Sequence, residues 1–161
     1  MLGNARSGSR VPVIHPDQNM VVFYPQGNNA NFSDPSYHLP AFYELFALDG
    51  PPEDSPRWKQ VAELSRQFLV RSAHPSTGLH PDYANFDGTP NSGGSNHDDF
   101  RFDAWRVVMN MAVDHAWFSF DERMREAFIG RIEHEHVGRF DPAERLLARQ
   151  ILGQVKLPTR L

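Results

Sequence analysis

The chain has 161 residues, of which 40% are hydrophobic and 12% aromatic, a composition that builds one core and differs from that of a disordered segment. Its formal net charge of -4, with no basic block or stripe, lacks the electrostatic footprint of a nucleic-acid binder, so no nucleic-acid partner is expected. Cysteine is absent, which excludes disulfides, thiolate metal sites and a cysteine nucleophile, and no apolar run reaches the ~18 residues of a membrane span.

The opening stretch, Met1 to Arg10, is polar and contains no apolar export region, so a cytoplasmic location is the expectation. Val11 to Ile14 and Met20 to Tyr24 are short β-type runs separated by the turn-rich His15-Pro16-Asp17-Gln18-Asn19, and their pairing predicts a small hairpin. A first helix is predicted from about Leu39 to Leu48, with Pro40 in its first turn and Phe42, Leu45 and Phe46 on one face. Asp49-Gly50-Pro51-Pro52 ends it. A second helix is predicted with Ser55 as N-cap and Pro56 at the first helical position. It runs to about Ala73, and Trp58, Val61, Ala62, Phe68 and Leu69 recur at helical spacing.

His74 to Asp99 is rich in Pro, Gly, Asn, Ser and Asp, a connection of the length that is usually functional inside a compact domain, and it is a candidate binding loop. A third helix is predicted from about Phe102 to Phe118, apolar around most of its circumference and therefore expected to be the most buried. Asp121 opens a fourth helix carrying Met124, Phe128 and Ile132, and Asp141 opens a fifth carrying Leu147, Ile151 and Val155. Short connections between the last helices favour antiparallel neighbours. The expected class is all-α, built of helical hairpins that form either a bundle or a segment of a larger helical toroid.

The polar set inside the third helix, Asp103, Arg106, Asn110 and Asp114, follows steps of three, four and four and so shares one face. Buried charge is costly unless paired, so such a stripe should line a solvated cavity or satisfy itself internally. Asp103 and Arg106 can pair and keep the carboxylate ionised, as a general base requires. By residue pattern alone, a purely structural ion pair at the helix start is the better account. Two further clusters, Glu133-His134-Glu135-His136 and His97-Asp98-Asp99, offer metal donors. Neither has a third ligand at convincing spacing, so no metal is expected.

Three local patterns read together change the balance: Asp34-Pro35-Ser36-Tyr37 continuing into Pro40-Ala41-Phe42-Tyr43-Glu44-Leu45, then Gly78-Leu79-His80-Pro81-Asp82-Tyr83-Ala84-Asn85-Phe86-Asp87-Gly88, then Phe102-Asp103-Ala104-Trp105-Arg106. In this order they resemble glycoside hydrolase family 8, in particular its xylanases and reducing-end xylose-releasing exo-oligoxylanases, from about Val13 to Phe118. The resemblance implies part of an (α/α)6 barrel, with 1–161 as one partial catalytic domain, and hydrolysis of β-1,4-linked xylan or xylo-oligosaccharides with inversion and without a cofactor. It implies Asp103 as base, Arg106 as its supporting partner, Tyr37 near the attacking water and Phe102 as a platform for a sugar ring. Asp82, Tyr83 and Asp87 are further candidates to bond or stack on the sugar, although Asp and Gly are also plain turn formers.

The family's general acid, a glutamate, and a central aspartate are expected before the region represented here, so the site is expected to be incomplete and to need an N-terminal half or self-association. Asp34 and Glu44 do not sit in the acid's motif and are not assigned that role. The alternatives are a non-catalytic helical domain that binds carbohydrate or depends on a partner, and a family 8 enzyme acting on cellulose, lichenan or chitosan.

Overall fold

In a computed structural model of the chain, residues 10–118 are described. The fourth and fifth predicted helices and the Glu133-His134-Glu135-His136 cluster lie outside them. The elements are β1 (Phe32–Ser33), α1 (Pro40–Asp49), α2 (Ser55–Ser72), β2 (Ala84–Asn85) and α3 (Arg106–Phe118), joined by 3-10 turns at Gly27–Ala30, Pro35–Tyr37 and Phe102–Trp105. Among these residues no helix is long and apolar enough to cross a membrane.

The predicted hairpin is present only as isolated bridges, Ile14 to Val21 and Arg10 to Gln26, with Val22 donating to the Val13 carbonyl at 2.9 Å. The prolines and asparagines between and after its arms break the ladder before a regular strand can form. The two-stranded sheet forms elsewhere: β1 pairs antiparallel with β2, Phe32 opposite Asn85 and Ser33 opposite Ala84. No local pattern announces a pairing of two-residue strands so far apart in sequence.

α1 lies within one residue of its predicted bounds, and the Gly50 amide closes it by donating to Phe46 O at 3.0 Å. Its buried face is not the predicted one. Ala41, Tyr43 and Ala47 are buried, whereas Phe42 and Phe46 are exposed and Leu45 is half-buried. Tyr43 packs on Val61 and Ala62 of α2, and its hydroxyl donates to the Tyr37 carbonyl at 3.1 Å. Hydrophobicity alone ranks phenylalanine above alanine and so points to the wrong side.

α2 begins one residue earlier than predicted, with Asp54 as N-cap, because Asp54 and Ser55 already donate to the Pro51 and Pro52 carbonyls in a preceding turn. Two stripes of α2 are buried. Val61 and Ala62 pack with Tyr43, while Phe68 and Leu69 pack with Met20, Ala84, Val107 and Met111. α1 and α2 form an antiparallel helical hairpin, since Phe46 meets Trp58 near one end and Glu44 meets Arg66 further along.

α3 is not the most buried helix. Val107, Met111 and Asp114 are buried, but Val108, Met109 and Trp117 are exposed. Although its circumference is apolar, only one stripe meets α1, α2 and the turn before α1. Asn110 donates from Nδ2 to the Ser36 carbonyl at 2.9 Å, and Phe42 meets Trp117 edge-on with ring centroids 5.4 Å apart.

Arg66 fastens the three helices. Its guanidinium donates Nε to Asp114 Oδ2 at 2.8 Å, Nη2 to Asp114 Oδ1 at 2.7 Å and Nη1 to Glu44 Oε1 at 2.7 Å. Burial opposes the charge, but the bonds to Asp114 and Glu44 outweigh it and hold Arg66 firmly protonated. Asp114 is fully buried, so Arg66→Met strands its carboxylate and is expected to destabilise the fold by ~3–5 kcal/mol. The double change Arg66→Met with Asp114→Leu should recover most of that in urea unfolding; a double variant as unstable as the single one would show that the loss is not electrostatic.

Candidate active site

Two short turns bring the chemistry together. The first, Pro35–Tyr37, is held by the Asp34 carboxylate, which accepts from the Ser36 amide at 2.7 Å, and by Tyr37 N donating to Asp34 O at 3.0 Å. The second, Phe102–Trp105, carries Asp103 and leads directly into α3. Asn110 ties the two by donating to the carbonyls of Ser36 and His38. Beneath the first turn, the buried His38 ring bridges Ser33 Oγ and Ser65 Oγ at 2.9 Å each and stacks on Phe68, and burial pulls its pKa down to about 3.

Arg106 Nη1 donates to Asp103 Oδ2 at 2.7 Å, and both side chains are open to solvent. Asp103, Asp82 and Asp34 all act on Tyr37: burial raises the pKa of its phenol, the three carboxylates raise it further, and Arg106 works against them. The phenol is therefore protonated at neutral pH and able to donate. The four-residue polar stripe predicted for the third helix divides between the 3-10 turn and α3. Asp103 and Arg106 face solvent near Tyr37, Asn110 bonds to backbone, and Asp114 is consumed by Arg66.

Aromatic rings line this surface in sequence. Tyr37 stacks near Phe23 at 6.1 Å, Phe23 meets Tyr83 at 4.4 Å, Tyr83 lies flat on the His97 ring at 4.0 Å, and His97 meets Phe102 at 5.4 Å. Gly93 fits only because it has no side chain: its φ is +54°, and a Cβ would lie 2.9 Å from the Tyr83 ring. Phe102 has a φ of +43°, a conformation that is strained for a bulky residue, and its ring is 60% exposed beneath the Arg101 guanidinium. A strained, exposed aromatic directly before Asp103 is suited to present a face to a ligand.

Two candidates from the 74–99 loop are placed differently from expectation. The Asp82 carboxylate is buried and bonds His97 Nδ1 at 2.6 Å, so it is occupied within the protein and not presented to a sugar. Asp87 lies apart, on a cavity of about 400 Å³ that is lined also by Arg71, His74 and Asp98 and includes neither Tyr37 nor Asp103. Its carboxylate accepts from Thr89 N and Oγ1, which hold its pKa below the usual carboxylate range. Asp87 is explained by turn chemistry, in which a short acidic side chain satisfies its own loop, and Asp82 by its bond to a ring fifteen residues away. Tyr83 remains in the aromatic lining. The loop is irregular apart from β2, and its 82–97 portion flanks the Asp103 surface.

Sequence reading missed three contributors. Phe23 lies in a run read only as a strand. His97 stands beside Asp98 and Asp99 in a cluster of metal donors that lacks a third ligand at convincing spacing. Asp34, set aside for want of a motif, has its pKa raised to about 6, chiefly by burial and also by Asp82 and Asp103. Its signal was Asp-Pro-Ser, an acceptor placed two residues before an amide that needs one.

The glycosyl hydrolases family 8 model matches residues 13–129, and the chain belongs to that family. It is 46% identical over 123 residues to the reducing-end xylose-releasing exo-oligoxylanase Rex8A of Paenibacillus barcinonensis, covering 74% of this chain and 31% of that protein. A crystal structure of a reducing end xylose-releasing exo-oligoxylanase superposes with a TM-score of 0.72 at 47% identity, covering 82% of this chain and 33% of that one. Variants of such an enzyme, one with a tyrosine changed to phenylalanine and one with an aspartate changed to asparagine, match with a TM-score of 0.72 at 40% identity, covering 83% and 34%. The all-α fold with its small sheet is that of a segment of the family's (α/α)6 barrel. The chain spans about a third of the length of the curated relatives it matches.

The raised pKa of Asp34 has a sign that can be measured. Its folded pKa, about 6, exceeds the ordinary 3.8, so the stability it contributes is complete below about pH 3.8 and lost as pH rises to about 6. Asp34→Asn keeps an acceptor for Ser36 and removes the charge. It should gain on the parent by up to ~3 kcal/mol between about pH 4 and pH 7 in urea unfolding. A difference that stays constant with pH would overturn this account.

Proposed function

We propose that this chain is the base-bearing part of an inverting glycoside hydrolase that cleaves β-1,4-linked xylan or xylo-oligosaccharides. The carrying observation is the juxtaposition of Asp103, paired with Arg106, and the protonated Tyr37 phenol at an open surface lined by Phe23, Tyr83 and Phe102. The similarity to exo-oligoxylanases supports the substrate class. The tyrosine and aspartate altered in the solved variants are separated along their chain by nearly the same interval as Tyr37 and Asp103 here.

In this reading Asp103 takes a proton from water as the water oxygen attacks the anomeric carbon, on the face opposite the departing sugar oxygen. Tyr37 orients that water, Arg106 holds the carboxylate in place, and Phe102 supports a sugar ring. A carboxylic acid on the other face protonates the leaving oxygen, and inversion requires the two carboxyls ~6.5–9.5 Å apart. That acid belongs to the N-terminal half of the barrel. The exposed Phe42, Phe46, Val108, Met109 and Trp117 are the apolar surface against which the remaining helices pack. The reading includes no nucleic-acid or membrane partner.

The test is reducing-sugar release from xylotriose, cello-oligosaccharides and chitosan by the chain alone and by the chain combined with the N-terminal half of a family 8 exo-oligoxylanase. Weak or no turnover is expected alone, with activity recovered on xylotriose in the combination. Asp103→Asn should then lower kcat by ~10²–10⁴-fold. Full activity of the chain by itself, untouched by that substitution, would overturn both the base and the shared site.

A further inference from the structure

Asp82 and His97 make no contact that the reaction above requires, yet they form a short, largely buried polar pair beside the candidate site. Asp82 is 3% exposed, and its Oδ2 lies 2.6 Å from His97 Nδ1. The backbone closes around them: Tyr83 N donates to His97 O at 2.9 Å, Asp82 N to Asp99 O at 3.0 Å, and His97 N to Ser92 O at 3.0 Å. With one edge of the ring held by Asp82, one face of His97 is covered by Tyr83, parallel to within 6° at 4.0 Å. Phe102 meets the same ring at 5.4 Å. Phe102 is also gripped by Arg101, whose guanidinium lies 4.3 Å from its ring and donates to the carbonyl of Asn96, the residue before His97.

Phe102 is the residue whose backbone is strained, at a φ of +43°, and strain of this kind persists only when the surroundings over-determine it. Asp103 follows it directly, so the direction of the Asp103 carboxylate depends on what keeps Phe102 in that conformation. The geometry points to Asp82 and His97 as a positioning pair: Asp82 fixes the His97 ring, the ring fixes Phe102, and Phe102 sets the aim of Asp103. This rests on the reading of Asp103 as the base. It also reassigns Asp82, whose carboxylate serves His97 and not the sugar.

The roles separate by substitution in the chain combined with the N-terminal half, with xylotriose as substrate. Asp82→Ala frees the ring and His97→Ala removes it. Each is expected to lower kcat tenfold or more, with KM changed less, because a ~1 Å misplacement of a reacting group costs on the order of 10²-fold. The double alanine variant should be no worse than either single one, as expected of two residues acting through one path. Asp82→Asn still offers an oxygen to His97 Nδ1 and should recover most of the loss. If Asp82 bonded the sugar directly, Asp82→Asn would instead raise KM, and that result overturns the proposal.

A second measurement separates failure of the pair from failure of the catalytic reading. In the chain alone, the backbone amide resonances of Phe102 and Asp103 should move in both alanine variants and return in Asp82→Asn, while those of Val61 and Leu69 stay in place. If Asp103→Asn leaves the combined enzyme active, the catalytic reading falls, and the amide shifts still decide whether the pair positions this turn. Additive kcat losses, or Phe102 and Asp103 amides that do not move, overturn the pair.

Discussion

Asp114 is a carboxylate with no access to water, and that single constraint organises the rest of the structure. It is tolerable only with a cation beside it, so Arg66 must lie where both of its nitrogen edges are used, one toward α3 and one toward Glu44 on α1. The register of α3 against the α1/α2 hairpin is thereby fixed by bond geometry more than by apolar area. One turn back along α3, Asn110 falls opposite the carbonyls of the Pro35–Tyr37 turn. One further turn back, Asp103 and Arg106 emerge beside Tyr37. The buried ion pair and the candidate base are separated by two turns of α3 and the 3-10 turn that leads into it.

The other wall of the site is built without regular structure. Between residues 82 and 102, side-chain bonds, stacked rings and left-handed glycines do what helices do elsewhere, and the segment ends on Phe102 at a left-handed φ of +43°. A loop of this kind can adjust ring positions without disturbing the hairpin core. The helices and the turns tied to them by Asn110 therefore hold the carboxylate and the phenol, and the loop shapes the neighbouring aromatic surface.

The apolar residues left in the open on α1 and α3 belong to the same account. A helix buries a second stripe only when a second layer is present, and the relatives this chain matches are about three times its length. The exposed phenylalanines and tryptophan fit a surface that further helices of such a longer barrel would cover.

The amino-acid sequence by itself determined the helices and their order, because α1, α2 and α3 are set by prolines at their starts or by apolar periodicity, both local signals. The resemblance to family 8 marked Tyr37, Phe102, Asp103 and Arg106 together, whereas the residue pattern alone favoured a structural ion pair for Asp103 and Arg106. Tertiary structure alone decided which faces are buried, since α2 meets α1 on the side of Tyr43 and leaves Phe42 and Phe46 exposed while Ala41 and Ala47 are buried. It decided that Asp82 turns inward to His97, fifteen residues away, while Asp87 closes its own turn. It also decided that Asp114 leaves the polar stripe to meet Arg66. The buried faces, the Asp82–His97 bond and the Asp114–Arg66 pair all depend on partners distant in sequence, and local pattern has no means of choosing among distant partners.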